Sequence, residues 1–339
     1  MQTLTLHNST ENPEVDRILQ EIIHLYETEF PEYIRVYYVI GSYADGSSIS
    51  LSDIDLAIIF AKGLTREQLE HAWALAEQCS SFSEIRLDIG LDLEKRLPGV
   101  GRVLFKLGGL CVYGTDIRDQ LELPPLAEYQ QDVTWSPYRF LGQVIRNQEV
   151  LTYPLGYPDP DDPFYGYTQK RIDAWYPATT TAGTKEIITG VTRTATALLA
   201  LRAECYVGTK KASVDLYRRQ IGDEWSDFLE TWYRKGKLEW YYTIPAQAED
   251  QDLLRDLCQQ TLAFENHYFQ HYRDYLEKLL SGSEEEKLFA VQRLTQVCYR
   301  DEEMVSTLQE IVQSLTVSAE IRDVATQALI CSEHNMNRE

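Results

Sequence analysis

The sequence has no long hydrophobic run, no closely spaced pair of cysteines and few basic residues for its length. No apolar stretch approaches the roughly 20 residues that span a bilayer, and the N-terminal segment MQTLTLHNSTENPE is polar and acidic. We therefore expect neither a membrane segment nor a signal peptide. The six cysteines are scattered through 339 residues without a CxxC pair. This predicts reduced, mostly buried thiols in a cytoplasmic protein.

Positive charge is scarce as well. Lysine and arginine total 32 against 53 aspartate and glutamate residues, so the formal net charge is -21. Such a chain repels phosphate backbones, which argues against a nucleic-acid partner. The same acidity attracts a cationic small molecule toward a cleft, but it also serves solubility alone. The composition leaves both roles open.

The order of apolar patterns predicts an α+β fold. Residues 12–29 have helical spacing behind a capping asparagine, and residues 65–80 have the pattern of a second helix. Strands are predicted over YIRVYYVIGS, DIDLAIIF, EIRLDIGLDL and GLCVYG. We therefore expect a small mixed sheet with helices packed against it, forming a first domain over residues 1–118.

The rest of the chain is predicted to be helical. From Ala182 onward no segment has the pattern of a strand, and residues 119–282 are predicted to form an all-α domain. Its helices are expected near 136–150 and over 183–206, 212–220, 224–235 and 249–280. The C-terminal tail, residues 283–339, has three short amphipathic patterns similar to HEAT-type helices. Such a unit cannot bury its own apolar face, so it must pack on the preceding domain or on a protein partner.

Two aspartates lie at the start of an apolar strand. In the segment SDIDL, side chains alternate, so Asp53 and Asp55 share one face while Ile54 and Leu56 point into the core. Two carboxylates on one face repel each other unless a cation lies between them. Oxygen ligands of this kind suit Mg²⁺ that is also bound to a substrate phosphate. Asp53 and Asp55 are therefore predicted metal ligands.

Upstream of the aspartates, a Gly-Ser pair is suited to phosphate binding. Gly41 allows close approach of the backbone to a phosphate, and Ser42 can donate its hydroxyl and an amide of the following turn. A third carboxylate is needed to complete a two-metal site or to activate the attacking hydroxyl. Asp88 and Asp92 are about 13 Å apart along one strand, so both cannot reach one metal pair. We favour Asp88, because it lies amid apolar residues, where an ionised carboxylate requires a partner.

At these residues the sequence resembles the DNA polymerase β-like nucleotidyltransferase superfamily. Its pattern is GS, a short glycine-containing turn, SDIDL and a later Asp or Glu. The turn GSYADG is similar to that of bacterial streptomycin/spectinomycin adenylyltransferases, and LCVYGTDI resembles the closing LYG strand of the family. The wider group usually has an arginine at or beside the position of Ala44, and this chain has none there. Other cations must then hold the nucleotide phosphates.

The resemblance implies a reaction and a set of site residues. AMP would pass from ATP to a hydroxyl of a small, aminoglycoside-like acceptor, with two Mg²⁺ ions and release of pyrophosphate. Asp88 would bind the second ion or take the hydroxyl proton. The segment GTKKASVD resembles a family segment whose lysine reaches across the cleft to the nucleotide phosphates. Lys210 matches the first lysine, the second falls on Val214, and Lys211 is the alternative. The nucleotide is thus expected between the two domains, with Gly41 and Ser42 on one side and a lysine on the other.

Two further patterns allow more than one interpretation. Residues 153–176 interleave aromatic residues with aspartates, which suits a cationic acceptor or an aromatic loop that only packs. His267 and His271 have the i, i+4 spacing of a zinc pair, although a packed or solvated helix face explains them better. Two other functions also remain open. One is nucleotidyl transfer to a protein, as in an antitoxin that adenylylates its toxin, and the other is a non-catalytic nucleotide-binding regulator.

Overall fold

The N-terminal helix shows how local sequence starts the fold. In this computed structural model, which describes residues 4–169 and 182–336, helix α1 spans Pro13–Glu29. The Asn12 side chain accepts hydrogen bonds from the amides of Glu14 and Val15. Pro13 occupies the first helical position, where its missing amide is not needed. The helix and its capping asparagine lie where the sequence predicts them.

Four strands form the central sheet in the order β3-β2-β1-β4. They are β1 Ile34–Ile40, β2 Ile54–Phe60, β3 Leu87–Leu93 and β4 Leu110–Gly114. Strand β1 is antiparallel to β2 and β4, and β2 is parallel to β3. Helix α2, Arg66–Phe82, begins with a capping box and provides the crossover that a parallel pair requires. All four strands and both helices coincide with predicted segments, and the fold class is α+β as predicted.

Each face of the sheet has its own apolar cluster. Ile54, Leu56 and Ile58 belong to the cluster that also contains the buried residues of α1 and α2. The alternating residues Ala57 and Ile59 belong to a second cluster on the opposite face. That cluster contains a side chain of helix α3, Gly99–Gly108, which the sequence did not predict because its glycines disfavour a helix.

A later segment of the chain completes this first compact unit. The unit comprises Met1–Asp132 and Glu204–Ile221, so helix α6, Lys210–Gln220, groups with the sheet. We call it the sheet unit. Gly108, at the end of α3, lies so close to Gly208 that a Cβ atom on Gly108 would be 2.6 Å from the Gly208 carbonyl oxygen. The sequence predicts the same segment as part of the helical domain, residues 119–282.

The second unit comprises Val133–Ala203 and Gly222–Glu339 and is mainly helical. We call it the helical unit. Helix α4, Leu126–Arg139, begins in the sheet unit and ends in the helical unit, where it continues as a π-helical segment, Phe140–Arg146. A second π-helical segment is Trp232–Glu239. The other helices are α5 Lys185–Arg202, α7 Trp225–Thr231, α8 Ala248–Leu280, α9 Glu284–Leu294, α10 Glu302–Gln313 and α11 Ala319–Met336. Helix α8 contacts both α5 and α9.

The C-terminal tail is packed onto the helices that precede it. Its first helix, α9, lies against α8, and the Arg273 side chain of α8 donates to Asp301 at 2.7 Å. Strand β6, Val297–Tyr299, pairs in parallel with β5, Leu151–Tyr153. The prediction that no strand follows Ala182 is therefore wrong. Three residues are too few to show the alternating pattern of a strand, and β6 is a strand only because it pairs with β5.

The cysteines differ in part from the prediction. Cys298 of β6 and Cys331 of α11 form a disulfide with Cα atoms 5.7 Å apart. The prediction of six reduced thiols is wrong for this pair, because sequence spacing does not show which cysteines the fold brings together. Cys79, Cys111 and Cys258 are buried free thiols, and Cys205 is half-buried. Within the described ranges, no helix combines the length and apolar character needed to cross a membrane.

Candidate active site

The turn after β1 is built around Gly41. Residues Gly41–Tyr43 form one 3-10 turn, and Gly41 has a φ of 71°, in the left-handed region. A Cβ atom at this position would lie 2.5 Å from Oδ2 of Asp55. Glycine is therefore required both by the backbone conformation and by the carboxylate beside it. The predicted phosphate-binding turn and a predicted metal ligand are in direct contact.

Hydrogen bonds within the loop between the Gly41 turn and β2 fix the backbone just before Asp53. The carboxylate of Asp45 accepts from the amide and the hydroxyl of Ser47. The Ser52 hydroxyl is buried and accepts from the amide of Ile49 at 2.9 Å, while the Ser52 amide donates to the Ile49 carbonyl. Ser52 thus closes the loop immediately before Asp53. The sequence pattern alone does not indicate this role of Ser52.

Strand register brings the carboxylates together. Asp55 on β2 is the register partner of Ile40 on β1 and of Asp88 on β3. Because side chains alternate, Asp53 and Asp55 lie on the face of the sheet that carries α3. Both are half-buried, as is Asp88. Asp92 instead opposes Ile59, four residues farther along β2, so Asp88 is the carboxylate beside Asp55.

The surroundings of Asp53 include a buried phenol. Burial raises the pKa of Tyr43, and the negative charges of Glu14 and Asp53 add to the shift. Ala44, which stands where the wider family usually has an arginine, packs against the core cluster of α1 and α2. A side chain at this position is therefore occupied with packing. Any phosphate contact must come from other residues.

The donor set fits Mg²⁺ that is shared with a substrate. Among the described residues, no group of three or more His, Cys, Asp or Glu side chains is arranged to hold a metal ion. Paired carboxylates such as Asp55 and Asp88 still suit Mg²⁺, which proteins commonly bind through one or two carboxylates together with substrate phosphates. Because Gly41 has no side chain, the Asp55 carboxylate can lie directly against the turn.

A hydrogen-bonded network on the same face was missed by sequence reasoning. The Tyr38 hydroxyl donates to Asp116 at 2.8 Å and accepts from the amide of Ile117. Arg118 forms an ion pair with Asp116 at 2.6 Å and lowers the pKa of that carboxyl to about 2. Tyr38 belongs to the cluster beneath α3. The network fixes the segment after β4, and the only sequence signal for it is the TDI that follows LCVYG.

The predicted phosphate-binding lysines lie at the start of α6. Thr209 caps this helix by accepting from the amide of Ala212. Lys210 and Lys211 are exposed, and Lys211 forms an ion pair with Asp215 at 3.3 Å. Val214, at the position of the second family lysine, is buried. Both lysines belong to the same unit as Gly41 and the aspartates.

Most of the aromatic segment 153–169 is engaged in its own packing. Tyr157 and Tyr165 stack with ring centroids 4.3 Å apart. Asp159 and Asp162 both accept from the side-chain amide of Gln169. These contacts favour the packing interpretation for the part that the structure describes. Asp173, Trp175 and Tyr176 fall outside the described residues.

The histidine pair has an arginine beside it. The rings of His267 and His271 lie 4.7 Å apart, and burial lowers the pKa of both. A guanidinium nitrogen of Arg202 is 3.4 Å from His267 Nε2 and 2.6 Å from Asp223. A cation therefore already occupies the space beside His267. This surrounding does not favour a metal ion.

Comparison with known protein families finds a match within the first unit. Residues 20–105 match the family "Polymerase beta, Nucleotidyltransferase". This segment contains β1, the Gly41 turn, β2, β3 and all three aspartates. The predicted resemblance to nucleotidyltransferases is confirmed for residues 20–105, which match this family model. No curated protein matches the sequence.

Several solved structures are similar to this chain. One is the spectinomycin adenyltransferase AAD(9) from Enterococcus faecialis with ATP and spectinomycin, at 11% identity and a TM-score of 0.44. The match covers 73% of this chain and 98% of that one. A toxin-antitoxin structure with AMP-PNP matches at 23% identity and a TM-score of 0.26, over 38% of this chain and 93% of its own. A mutant of the toxin-antitoxin MntA-HpeT matches at 22% identity and a TM-score of 0.25, over 35% and 90%.

Proposed function

We propose that this protein transfers AMP from ATP to a hydroxyl group of a small cationic acceptor, such as an aminoglycoside. The observation that carries the proposal is the contact of Gly41 with Asp55 together with the register that puts Asp88 beside Asp55. It joins a phosphate-binding turn to a carboxylate pair within a nucleotidyltransferase domain. The net charge of -21 supports a cationic acceptor.

The residues have distinct roles in the proposed reaction. Asp53, Asp55 and Asp88 would hold Mg²⁺, which when bound supplies charge neutralisation at the triphosphate. Asp88 also accepts the proton of the acceptor hydroxyl. The hydroxyl oxygen then attacks the α-phosphorus of ATP, the bond from that phosphorus to the bridging oxygen breaks, and pyrophosphate leaves with the electron pair.

The negative charge of the ATP phosphates is stabilised by the Gly41 turn and by lysines of α6. The Gly41 turn permits close backbone approach, and the Ser42 hydroxyl donates a hydrogen bond to a phosphate oxygen. Lys210 or Lys211 supplies the positive charge that the wider family obtains from an arginine near Ala44. The lysines need no movement of a second unit to contribute, since α6 is part of the sheet unit.

A transfer assay tests the metal and base assignments. Streptomycin and spectinomycin would be incubated with ATP and Mg²⁺, with pyrophosphate release and the mass of the adenylylated product as readouts. Asp53→Asn, Asp55→Asn and Asp88→Asn should each lower the rate at least about 100-fold, because even changes outside the ligand sphere cost up to about that factor. Asp119→Asn, an exposed aspartate of the same unit, is the matched control.

Two results would decide against the proposal. Wild-type turnover in the Asp55→Asn protein would remove the metal assignment. Absence of any adenylylated product from the wild-type protein with either acceptor would remove the acceptor class. ATP binding with Mg²⁺, measured separately by thermal shift, distinguishes a wrong acceptor from a site that binds no nucleotide.

A further inference from the structure

Strand β3 has a second aspartate on the same face as Asp88. Side chains alternate along a strand, so Asp88, Gly90 and Asp92 share one face. Asp92 opposes Ile59 of β2, which belongs to the cluster on the face that carries α3. Four residues of strand span about 13 Å, so Asp92 cannot share a metal ion with Asp88. The proposed metal site therefore gives Asp92 no role.

The surface of β3 between the two aspartates is open. A Cβ atom on Gly90 would meet nothing within 4 Å, and the φ angle of Gly90 is not in the left-handed region. Neither the backbone conformation nor a neighbouring atom therefore requires glycine at this position. A glycine within a strand often marks a place where a ligand or another backbone comes close. We call the surface formed by Asp88, Gly90 and Asp92 the β3 trough.

The carboxylate at the far end of the β3 trough is half-buried. Burial alone raises the pKa of Asp92, and no hydrogen bond or ion pair to a described residue replaces the lost water. A carboxylate in such surroundings is stabilised by any group that brings a positive charge to it. A cationic ligand in the β3 trough would supply that charge.

Apolar surface lies beside this carboxylate. Ile59, the register partner of Asp92, is buried in the same cluster as Leu97, which follows β3 in the chain. A partly buried charge pair is screened by salt and water much less than an exposed one. A cation at Asp92 would therefore be held more firmly than a cation at an exposed surface aspartate.

We propose that Asp92 binds a cationic group of the acceptor and so determines which acceptors are used, an inference that rests on the proposed transfer of AMP to a small cationic acceptor. The acceptor lies along the β3 trough, with its reactive hydroxyl at Asp88 and an ammonium or guanidinium group at Asp92. A single sugar ring is too short to reach both ends, whereas several linked rings span the trough. Asp92 thus selects acceptors whose positive charge is remote from the reacting hydroxyl.

Steady-state transfer to streptomycin tests this assignment. Asp92→Asn should raise the KM for streptomycin at least about tenfold, because a charge-assisted contact is lost. The value of kcat should change much less, and ATP affinity should not change, since the contact is made equally before and during the reaction. Asp92→Glu, which restores the charge, should recover part of the loss. Asp119→Asn is the control, and glucosamine, a cation of one ring, should be used equally poorly by wild type and Asp92→Asn.

A second variant blocks the β3 trough without removing a charge. Gly90→Leu places a side chain in space that is open, so its melting temperature should not fall below that of the wild type. Streptomycin binding should weaken at least about tenfold, because a favourable charge contact is no longer reached. Binding of ATP with Mg²⁺ should be unchanged. Unchanged streptomycin binding in Gly90→Leu would show that the acceptor does not lie over Gly90 and would overturn the proposal.

Calorimetric titration of streptomycin without ATP separates this inference from the transfer reaction. Binding that is the same in wild type and Asp92→Asn would overturn the role of Asp92 and leave the transfer reaction unaffected. Binding that depends on Asp92, without any adenylylated product, would support the cation site and remove the proposed reaction. Absence of binding to the wild type at millimolar concentration would overturn the inference, and product formation from spectinomycin would then decide the transfer reaction separately.

Discussion

Gly41 and Gly46 have nearly the same backbone φ angle, so a comparison of their alanine variants can show what the absence of a Cβ atom at Gly41 contributes. Gly41 and Gly46 have φ angles of 71° and 70°. A Cβ on Gly46 would meet nothing within 4 Å, whereas one on Gly41 would be 2.5 Å from the Asp55 carboxylate. Both alanine variants should lose about 1 kcal/mol of stability from the left-handed conformation.

Only the Gly41→Ala variant should also lose activity. Its methyl group forces Asp55 to move, and a displacement of about 1 Å in a catalytic site costs on the order of 100-fold in rate. Transfer rates and melting temperatures of the two variants are the measurement. Equal rates in Gly41→Ala and Gly46→Ala would show that the contact with Asp55 has no functional importance.

The ion pair between Asp116 and Arg118 should make the stability of the fold sensitive to acid. Arg118 lowers the pKa of this carboxyl from an ordinary 3.8 to about 2 in the folded protein. The ion pair therefore stabilises the fold above about pH 4, and that contribution is lost as the pH falls from about 4 to about 2. The effect is small, because the Asp116 side chain is 40% exposed and screened by solvent.

The Asp116→Asn variant should be less stable than the wild type at neutral pH and converge with it toward pH 2. Urea titrations at a series of pH values measure this difference. The Asp119→Asn variant should follow the wild-type curve throughout. A difference between wild type and Asp116→Asn that stays constant between pH 7 and pH 2 would contradict the assignment.

At the scale of elements, the sequence predicted those with a strong internal pattern. Strands β1 to β3 have apolar runs bounded by turn residues. That Asp53 and Asp55 lie on the same face follows from the alternation of side chains along a strand. Helix α3 was missed because packing on the sheet outweighs the low helix propensity of its glycines. Strand β6 was missed because its partner β5 lies far away in the chain. The proximity of Asp88 to Asp55 needed the strand register, which no local pattern contains.

The next prediction concerns the lysines of helix α6, Lys210 and Lys211, and their binding to the ATP triphosphate. If its lysines meet the triphosphate, Lys210→Ala or Lys211→Ala should weaken ATP binding with Mg²⁺, and the double variant more than either. We expect a loss of about tenfold or more for the lysine that contributes a charge-assisted hydrogen bond. Lys211 also pairs with Asp215, so Asp215→Asn separates the loss of that pair from the loss of the charge. Unchanged affinity in the double variant would remove α6 from the site.

Over the whole molecule, the acidic charge predicts how binding depends on salt. If the net charge of -21 steers a cationic acceptor, its Kd should rise several-fold as salt increases, because the screening length falls from about 30 Å at 0.01 M to about 8 Å at 0.15 M. Titration of streptomycin in the presence of ATP measures this. Sucrose at matched osmolality is the control. Salt-independent binding would leave the charge a role in solubility alone.

Two properties of the whole chain could not be predicted from local sequence patterns. They are which residues make up each of the two units, and which cysteines pair. Boundaries at residues 118 and 282 stay predictions of the sequence. The structure divides the chain differently, because residues 204–221 return to the sheet. The Cys298–Cys331 pair likewise depends on β6 and α11 meeting. Both facts rest on long-range packing, which composition and periodicity do not encode.

The return of residues 204–221 to the sheet unit has a consequence for synthesis of the protein. A ribosome that has released Asp132 must still make the 89 residues to Ile221, counted as 221 minus 132, before α6 can dock. At translation rates of about 5–20 residues per second, this takes between about 4 and 18 seconds. During that interval the nascent sheet lacks the contact between Gly108 and Gly208. Residues 1–132 are therefore made as an incomplete unit, which is completed only when synthesis has passed Ile221, about two-thirds of the way along the chain.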